Sequence, residues 1–357
     1  MFKNLLVYRL SPAWVPDLSA VEAALDAAPF IPCGASQPVS AGWIGPRGQA
    51  HGALVESVGG HWLLKLMIEQ KVLPGSVVKR RIDEMAQQIE HQTGRKPGKK
   101  QRKELKDQAT LELLPQAFTK QITMPVWIAP EQGLLMIDTA SSAKADEVIT
   151  LLTKGIAGFA VEPLHTALSP ATAMADWLLG APSEAPKMDP ATGEITEARG
   201  ADLPIVFSID RECELKSADE MKSVVRYARH PLDTEEVRAH ILLGKRPTRL
   251  ALTWQGRVSF MLTDNLVIKK LDFLDGVYEG QPPASRDAGE AFDADAAIAT
   301  GELVRLIPDL IDALGGEQVP GIGAPSFDPI ATGAAARIAT AAAEPTPSTA
   351  TTDDPPW

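Results

Sequence analysis

The chain has 357 residues, is 45% hydrophobic and 23% charged, and carries a formal net charge of −11. This composition is typical of a folded protein, and the length allows two or three domains. Its two cysteines are too few for a disulfide framework. No apolar run reaches the ~20 residues of a membrane span, and Leu5–Tyr8 is too short for a signal peptide. We therefore expect a cytoplasmic protein with no membrane partner.

The first part of the chain predicts two strands and a short helix before a break. Residues 2–10 and 61–69 are rich in apolar residues and predict strands, whereas residues 22–28 predict a helix. Pro74 and Gly75 then interrupt the pattern. Ser76 is expected to be the N-cap of the helix that follows.

A hairpin of two helices is predicted next, over residues 78–114. Its first helix has an apolar stripe made of Val78, Ile82, Met85 and Ile89. Gly94 and the pair Pro97-Gly98 supply a turn, and the second helix runs from Lys99 to Leu114. On the second helix, Leu105, Ala109 and Leu113 form a matching stripe, so the two helices can meet along an apolar seam.

Positive charge is concentrated on this hairpin. Residues 95–106 (RKPGKKQRKELK) hold seven Lys and Arg against one acidic residue. A basic cluster in an acidic chain favours a polyanionic partner, with nucleic acid as the first candidate, although many charge runs are only solvated helix faces. The predicted DNA contacts in this region are Lys79, Arg80, Arg81, Arg95, Lys96, Lys99, Lys100, Arg102, Lys103 and Lys106.

The rest of the chain alternates strands and helices up to residue 316. Strands are predicted over 121–129, 133–140, 160–164, 203–209 and 223–229, in a meander over 248–274, and helices over 142–152, 171–179, 233–243 and 292–314. Residues 181–201 read as a loop, and residues 317–357 as a disordered tail rich in Ala, Pro and Thr. This mixture, with its antiparallel hairpins, predicts an α+β fold.

A second basic cluster lies in this part of the chain. It consists of Arg226, Arg229, His230, Lys245, Arg246 and Arg249. If its two strands lie close together, these side chains form a second strip that contacts phosphates. A merely solubilising surface accounts for them equally well.

Catalytic signals are few. Asp210, Glu212 and Glu214 alternate, so they would share one face of a strand and could hold Mg²⁺ for a nuclease. An exposed strand face is the simpler interpretation. No Walker, GxGxxG, HExxH or GxSxG motif occurs in a suitable context. We therefore predict no enzymatic activity, no metal and no cofactor.

Several stretches, in order, resemble the recombination-associated protein RdgC family of bacterial DNA-binding proteins. They are FKNLLVYRL (2–10), PCG (32–34), KVLP…VVK (71–79), the basic hairpin leading into LLPQAF (113–118), WIAPEQGLLMIDTASSAKADEVITLL (127–152), TEEVRAHILLGK (234–245), LALTWQGRVSFML (250–262) and FDADAAIATGELVRLIPDLIDALGGE (292–317). The resemblance implies a horseshoe-shaped α+β subunit with mixed or antiparallel sheets and a protruding helical hairpin. Two such subunits would close into a homodimeric ring around double-stranded DNA.

The resemblance also implies a role and a regional division. The protein would bind DNA without sequence preference, associate with the nucleoid and modulate RecA-dependent recombination and replication. Its regions would be a centre (1–73 with 121–180), a hairpin tip (74–120), a base (181–316) and the tail (317–357).

Particular residues acquire implied roles from the same resemblance. Phe118 matches a position at the contact between the two tips of the dimer, although ordinary core packing would also explain an aromatic residue. Arg229 and His230 match a Lys-Gln pair near the DNA path of the family. A scaffold whose basic hairpin binds an acidic protein is the competing class, beside the nuclease.

The tail contains one further motif. Asp353, Asp354 and Trp357 resemble the acidic and aromatic tip by which bacterial single-stranded DNA-binding proteins recruit repair partners. We therefore expect a repair protein to bind there, and a chance match in a low-complexity segment is the alternative.

Overall fold

Two antiparallel sheets organise the described part of the chain. The structure is a computed structural model that describes residues 2–49, 51–180, 202–217, 222–278 and 288–318. Residues Met1–Glu317 form one compact unit. The predicted loop over 181–201 and the tail motif of Asp353, Asp354 and Trp357 lie outside the described residues.

The described residues form twelve strands and seven helices. The strands are β1 Leu6–Leu10, β2 Val39–Ile44, β3 Val55–Val58, β4 His61–Val72, β5 Phe118–Ala129, β6 Leu134–Ile137, β7 Val161–Pro163, β8 Phe207–Ser217, β9 Val224–Ala228, β10 Lys245–Trp254, β11 Val258–Thr263 and β12 Ile268–Phe273. The helices are α1 Leu18–Asp26, α2 Gly75–Thr93, α3 Lys99–Leu113, α4 Ser142–Gly155, α5 Pro170–Leu179, α6 Glu235–Leu242 and α7 Ala288–Ala313. The predicted α+β class is therefore confirmed.

The first sheet has the strand order β2-β4-β5-β6-β1-β7, with β3 also paired to β4. Its centre is the long antiparallel pair β4 and β5, in register from Trp62 opposite Ile128 to Val72 opposite Phe118. Both faces of this sheet carry apolar side chains, because each face packs against other elements of the fold. One face carries Leu64, Leu66 and Val126 into a core with α1 and α4.

The second sheet has the strand order β12-β11-β10-β8-β9. Alternation along β10 puts Leu250, Leu252 and Trp254 on a fully buried face, where they pack with residues of α5 and α7. Ala251 and Thr253 lie on the opposite face, which we call the open face, and are only partly buried. Residues of the first sheet, such as Leu63 and Trp127, belong to the same core, so a single apolar interior joins the two sheets.

The opening segment differs from the sequence prediction. A strand was predicted over 2–10, but β1 begins only at Leu6. Leu5 instead exchanges backbone hydrogen bonds with Ile268 of β12, at 2.7 and 3.0 Å, and Lys3 accepts one from Leu271. The first residues therefore extend the second sheet, and the chain crosses to the first sheet at Leu6.

Two other local predictions were wrong. The helix α2 begins at Gly75 with Pro74 at the N-cap and no side-chain cap, so Ser76 is not the capping residue. The strand predicted over 203–209 begins only at Phe207, because the amide of Phe207 donates to the carbonyl of Pro204 and closes a turn there. This strand, β8, then continues to Ser217. Among the described helices, none combines the length and apolar character needed to cross a membrane.

Candidate nucleic-acid interface

The basic hairpin, which we define as α2, residues 94–98 and α3, is held by an apolar seam. Met85 and Ala86 of α2 pack with Leu105 and Ala109 of α3, and each of these is at most 7% exposed. Gly94 ends α2 in the left-handed conformation, at φ 71°, which a residue without a Cβ adopts at little cost. The predicted stripes and turn are thus confirmed.

Two of the predicted DNA contacts also join the helices of the hairpin. Arg81 of α2 donates to Glu112 of α3, with Nη2 2.8 Å from Oε2. Arg102 of α3 lies 3.8 Å from a carboxylate oxygen of Asp83 on α2. The hydrogen bond to Glu112 raises the pKa of the Arg81 guanidinium above its usual value. Part of the positive charge of both arginines is therefore balanced within the hairpin.

The other cations of the hairpin are less engaged. Lys99, Lys103 and Lys106 recur at i, i+4 and i+7, so they share a face of α3 that is distinct from the seam. In the part of the chain that the structure describes, seven exposed cations of the hairpin make no ion pair. They are Lys79, Arg95, Lys96, Lys99, Lys100, Lys103 and Lys106. Over residues 74–120, eleven Lys and Arg stand against six Asp and Glu, a net charge of +5 within a chain of −11.

Phe118 lies at the root of the hairpin, where β5 begins, and is 87% exposed. It stands directly opposite Val72, which is 46% exposed, at the end of the β4–β5 pair. Ordinary core packing therefore does not explain Phe118. Beside this pair, Lys71 donates from Nζ to the carbonyls of Ala35 and Leu114 and ties the root of the hairpin to the first sheet.

The second basic cluster is partly brought together on the open face of the second sheet. Arg226 on β9 and Arg249 on β10 flank Glu214 on β8, and their guanidinium nitrogens lie 2.6 and 3.7 Å from its Oε2. The pKa of the Glu214 carboxyl lies below its usual value. Burial by itself would raise this pKa, but the hydrogen bonds from Arg226 and Thr248 outweigh the effect of burial. One carboxylate therefore binds two arginines from different strands.

A neighbouring row adds another cation pair. Arg246 stands opposite Lys216, and both side chains are exposed. Lys216 was not among the predicted DNA contacts. Its position two residues after Glu214 on one strand was the signal that could have found it, since alternate residues share a face.

The remaining members of the cluster lie elsewhere. Lys245 alternates with Arg246 and so lies on the other side of β10, where its Nζ is 3.2 Å from Nδ1 of His240. His230 is exposed and has its Nδ1 2.6 Å from the carbonyl oxygen of Pro231. Arg229 is exposed at the end of β9, with a left-handed φ of 57°. The structure therefore does not gather all six side chains into one strip.

The three carboxylates proposed for a metal site have separate partners. Asp210 accepts from Thr253 Oγ1 at 2.9 Å, and Glu212 from Lys270 Nζ at 2.6 Å. Between Ile209 and Cys213, β8 bulges against β10, so the alternation expected of a regular strand is broken. Within the described ranges, no group of three or more His, Cys, Asp or Glu side chains is arranged to hold a metal ion.

These features define a class of protein: an α+β protein of two antiparallel sheets that carries a helical hairpin with uncompensated positive charge. Comparison with known proteins gives the family. A family model described as "Putative exonuclease, RdgC" matches residues 1–189 and 198–317. The chain belongs to the RdgC family.

Named relatives agree with this assignment over most of their length. The recombination-associated protein RdgC of Dechloromonas aromatica (strain RCB) is 46% identical over 321 residues, covering 89% of this chain and 98% of the relative. The proteins of the same name from Cupriavidus necator and Bordetella pertussis are 45% and 41% identical over 317 residues. Each of these two matches covers 89% of this chain and 99% of the relative. The chain is thus similar to recombination-associated proteins almost from end to end of those proteins.

Proposed function

We propose that this chain is a sequence-nonspecific double-stranded DNA-binding protein. It acts as a homodimer that encircles DNA, associates with the nucleoid and modulates RecA-dependent recombination and replication. The observation that carries the proposal is the group of seven exposed cations on the basic hairpin, which make no ion pair with any residue that the structure describes. Phosphates of a duplex would bind them and release condensed counterions, which favours association without reading bases.

The face of these cations supports a DNA contact rather than a structural role. Lys99, Lys103 and Lys106 lie away from the seam, so they do not hold the two helices together. The acidic remainder of the chain would repel DNA and leave the basic hairpin as the preferred contact. Arg226, Arg246 and Arg249, joined by Lys216, would contact phosphates from the open face of the second sheet.

A mobility-shift assay with closed-circular and linear duplex tests this function. Reversal of charge at Lys99, Lys103 and Lys106 to Glu should abolish the shift at moderate salt and leave the dimer intact. A full shift by this variant would contradict the proposal. The same experiment separates the scaffold class, because a protein with an acidic protein partner would show little duplex binding at low salt.

Self-association is proposed through the root of the hairpin. Phe118 and Val72 form an exposed apolar pair that a second copy of the chain would cover. Phe118 lies within the tip region, residues 74–120. If the tip regions of two copies meet at this pair, they would close a ring made of two horseshoe-shaped subunits, as the family resemblance implies. Encirclement predicts that the protein stays on closed-circular DNA through a salt wash. It also predicts that the protein is lost once the circle is cut.

RecA modulation follows in this proposal from occupation of duplex DNA. A protein that covers the duplex blocks the invasion or exchange of strands there. In a strand-exchange assay with RecA, the protein should inhibit in proportion to its duplex occupancy. Inhibition by the triple Glu variant that no longer binds duplex would instead indicate direct contact with RecA.

A nuclease is the second candidate, because the description of the family contains the word exonuclease. The separate partners of Asp210, Glu212 and Glu214 favour binding without catalysis. Incubation of supercoiled and linear DNA with Mg²⁺ tests this choice. Degradation that disappears in an Asp210→Ala variant would establish a nuclease.

The tail motif provides a further partner in this proposal. Asp353, Asp354 and Trp357 would recruit a repair protein, with the carboxylates bound by basic side chains and the indole ring in an apolar cleft. Replacement of these three residues by Asn, Asn and Ala should abolish co-purification of a repair protein. Unchanged co-purification would contradict the proposed role of the tail motif.

A further inference from the structure

A cavity of 440 Å³ lies on the open face of the second sheet. This volume falls within the roughly 300–1,000 Å³ of small-molecule sites. Its lining includes Ala251 of β10 and Ser259 and Met261 of β11, which form a small, mostly apolar floor. Cations and carboxylates surround this floor, so the cavity can accept a ligand with one charged end and one compact body.

The rim of the cavity is joined across the floor by an ion pair. Lys270 of β12 contacts Glu212 of β8 at 2.6 Å, although β11 and β10 lie between these strands. Three strand spacings of about 4.8 Å amount to roughly 14 Å, so both side chains must lean inward over a concave sheet. Lys270 has a left-handed φ of 51° at a bulge of β12, which turns it out of the regular alternation.

Two arginines face the cavity without a counterion. Arg211 and Arg229 both line it, and the amide of His230 donates to the carbonyl of Arg211 at 3.2 Å, which holds the two segments together. Among the described residues, neither guanidinium makes an ion pair. Both guanidinium groups line the same cavity, and a bound dianion can accept hydrogen bonds from two such groups.

The carboxylates of the cavity offset these arginines only in part. Asp210 accepts a hydrogen bond from Thr253, and Glu212 is paired with Lys270. Counting all five charged residues of the lining, the cavity has a net charge of +1. The positive excess therefore lies on the side of Arg211 and Arg229.

We infer that this cavity binds a phosphomonoester carried on a small organic body. Its phosphate would lie between Arg211 and Arg229. Its body would rest on Ala251 and Met261, against the side chain of Lys270, which also lines the cavity. Two sources share this chemistry, a free nucleoside monophosphate and the 5′-phosphorylated end of a DNA strand. The inference does not depend on duplex binding by the basic hairpin.

Isothermal titration of the full chain with dAMP and with inorganic phosphate tests the inference. We expect dAMP to bind, and the double variant Arg211→Gln/Lys270→Asn to weaken this binding at least tenfold. Asn is chosen at position 270 because it tolerates the left-handed conformation. The variant Lys144→Gln/Lys154→Gln, which removes two cations from α4, is the matched control and should bind dAMP like the unmodified chain.

Three outcomes would overturn the inference. The first is no heat of binding with dAMP up to about 1 mM, and the second is equal affinity of the double variant and the unmodified chain for dAMP. The third is that dAMP binds no more tightly than inorganic phosphate. If the double variant does not fold, Arg211→Gln alone is decisive, because its exposed side chain makes no ion pair. A linear duplex with a 5′-phosphate or a 5′-hydroxyl distinguishes the sources. Preference for the phosphorylated end indicates DNA, and binding of dAMP without that preference indicates the free nucleotide.

The shift of closed-circular duplex separates this inference from the proposed function. Circular DNA has no end. The double variant leaves unchanged Arg229, which is both part of the proposed phosphate site and a predicted duplex contact, and neither Arg211 nor Lys270 belongs to the proposed duplex contacts. The double variant should therefore shift circular duplex normally. Loss of dAMP binding with a normal circular shift supports a separate site, whereas a chain that binds dAMP but no circular duplex contradicts only the proposed function.

Discussion

Neutralising two lysines of the basic hairpin should reduce the salt dependence of DNA binding by a calculable amount. Lys103 and Lys106 are exposed, lie on the side of α3 away from the seam and form no ion pair within the described ranges of the chain. Each phosphate contact contributes about 0.9 to the slope of log affinity against log salt concentration, so the variant Lys103→Gln/Lys106→Gln should lose about 1.8 from that slope per engaged protomer. Between 50 and 200 mM salt, this corresponds to roughly a twelvefold smaller loss of affinity.

Fluorescence anisotropy with a labelled duplex, across a series of salt concentrations, measures this slope. Lys144→Gln/Lys154→Gln removes the same charge from α4 and should leave the slope unchanged. Thermal melting of both variants should match that of the unmodified chain, since none of these side chains lies in a core. An unchanged slope for the hairpin variant, or an equal decrease in the control, would refute the assignment of α3 as the phosphate-binding face.

Three other predictions concern assembly and stability. Phe118→Ser should convert the proposed dimer to a monomer in sedimentation equilibrium without loss of thermal stability, because the ring is 87% exposed; a stable dimer of this variant would contradict the contact. Leu252→Ala should lower the free energy of unfolding by about 2–5 kcal/mol in urea titration, because a fully buried side chain leaves a cavity; a change near zero would place Leu252 outside the core. The bond from Arg257 and the charge of Arg305 lower the pKa of Glu302 in the fold, so its stabilisation is present above the unfolded pKa of about 4.3 and is lost as pH falls. Glu302→Gln should therefore lower stability at pH 7 and flatten its decline below pH 5, and an unchanged acid profile would argue against the ion pair.

The basic hairpin could be predicted from sequence because its determinants are local. The spacing of Met85 and Ile89 on one helix and of Leu105 and Ala109 on the other identifies the seam, and Gly94 marks the turn. The same holds for the meander, where Gln255 and Gly256 both take positive φ at the tight turn between β10 and β11. In these segments, neighbours in sequence are also neighbours in space.

The grouping of arginines on the open face could not be predicted, because the local sequence pattern does not contain the order of the strands. Arg226 and Arg249 meet at Glu214 because β8 lies between β9 and β10, an order set by long-range pairing. The bulges at Asp210–Glu212 and near Lys270 likewise depend on the partner strands, so the cavity was not predicted. The predicted division into centre, tip, base and tail stays a prediction.

The pairing of Leu5 with Ile268 has a consequence for biosynthesis. Leu5 is fully buried, yet the strand that covers it is 263 residues away in sequence. At about 5–20 residues per second, the ribosome needs roughly 13–50 s to produce that partner after Leu5 has been made. During this interval, Phe2 can already contact Trp127, but Leu5 lacks its partner in β12, and loop closure over such a separation is slow. Completion of the shared core is therefore a late event of synthesis, and a ribosome-bound chain that ends before β12 should attract chaperones through its own first residues.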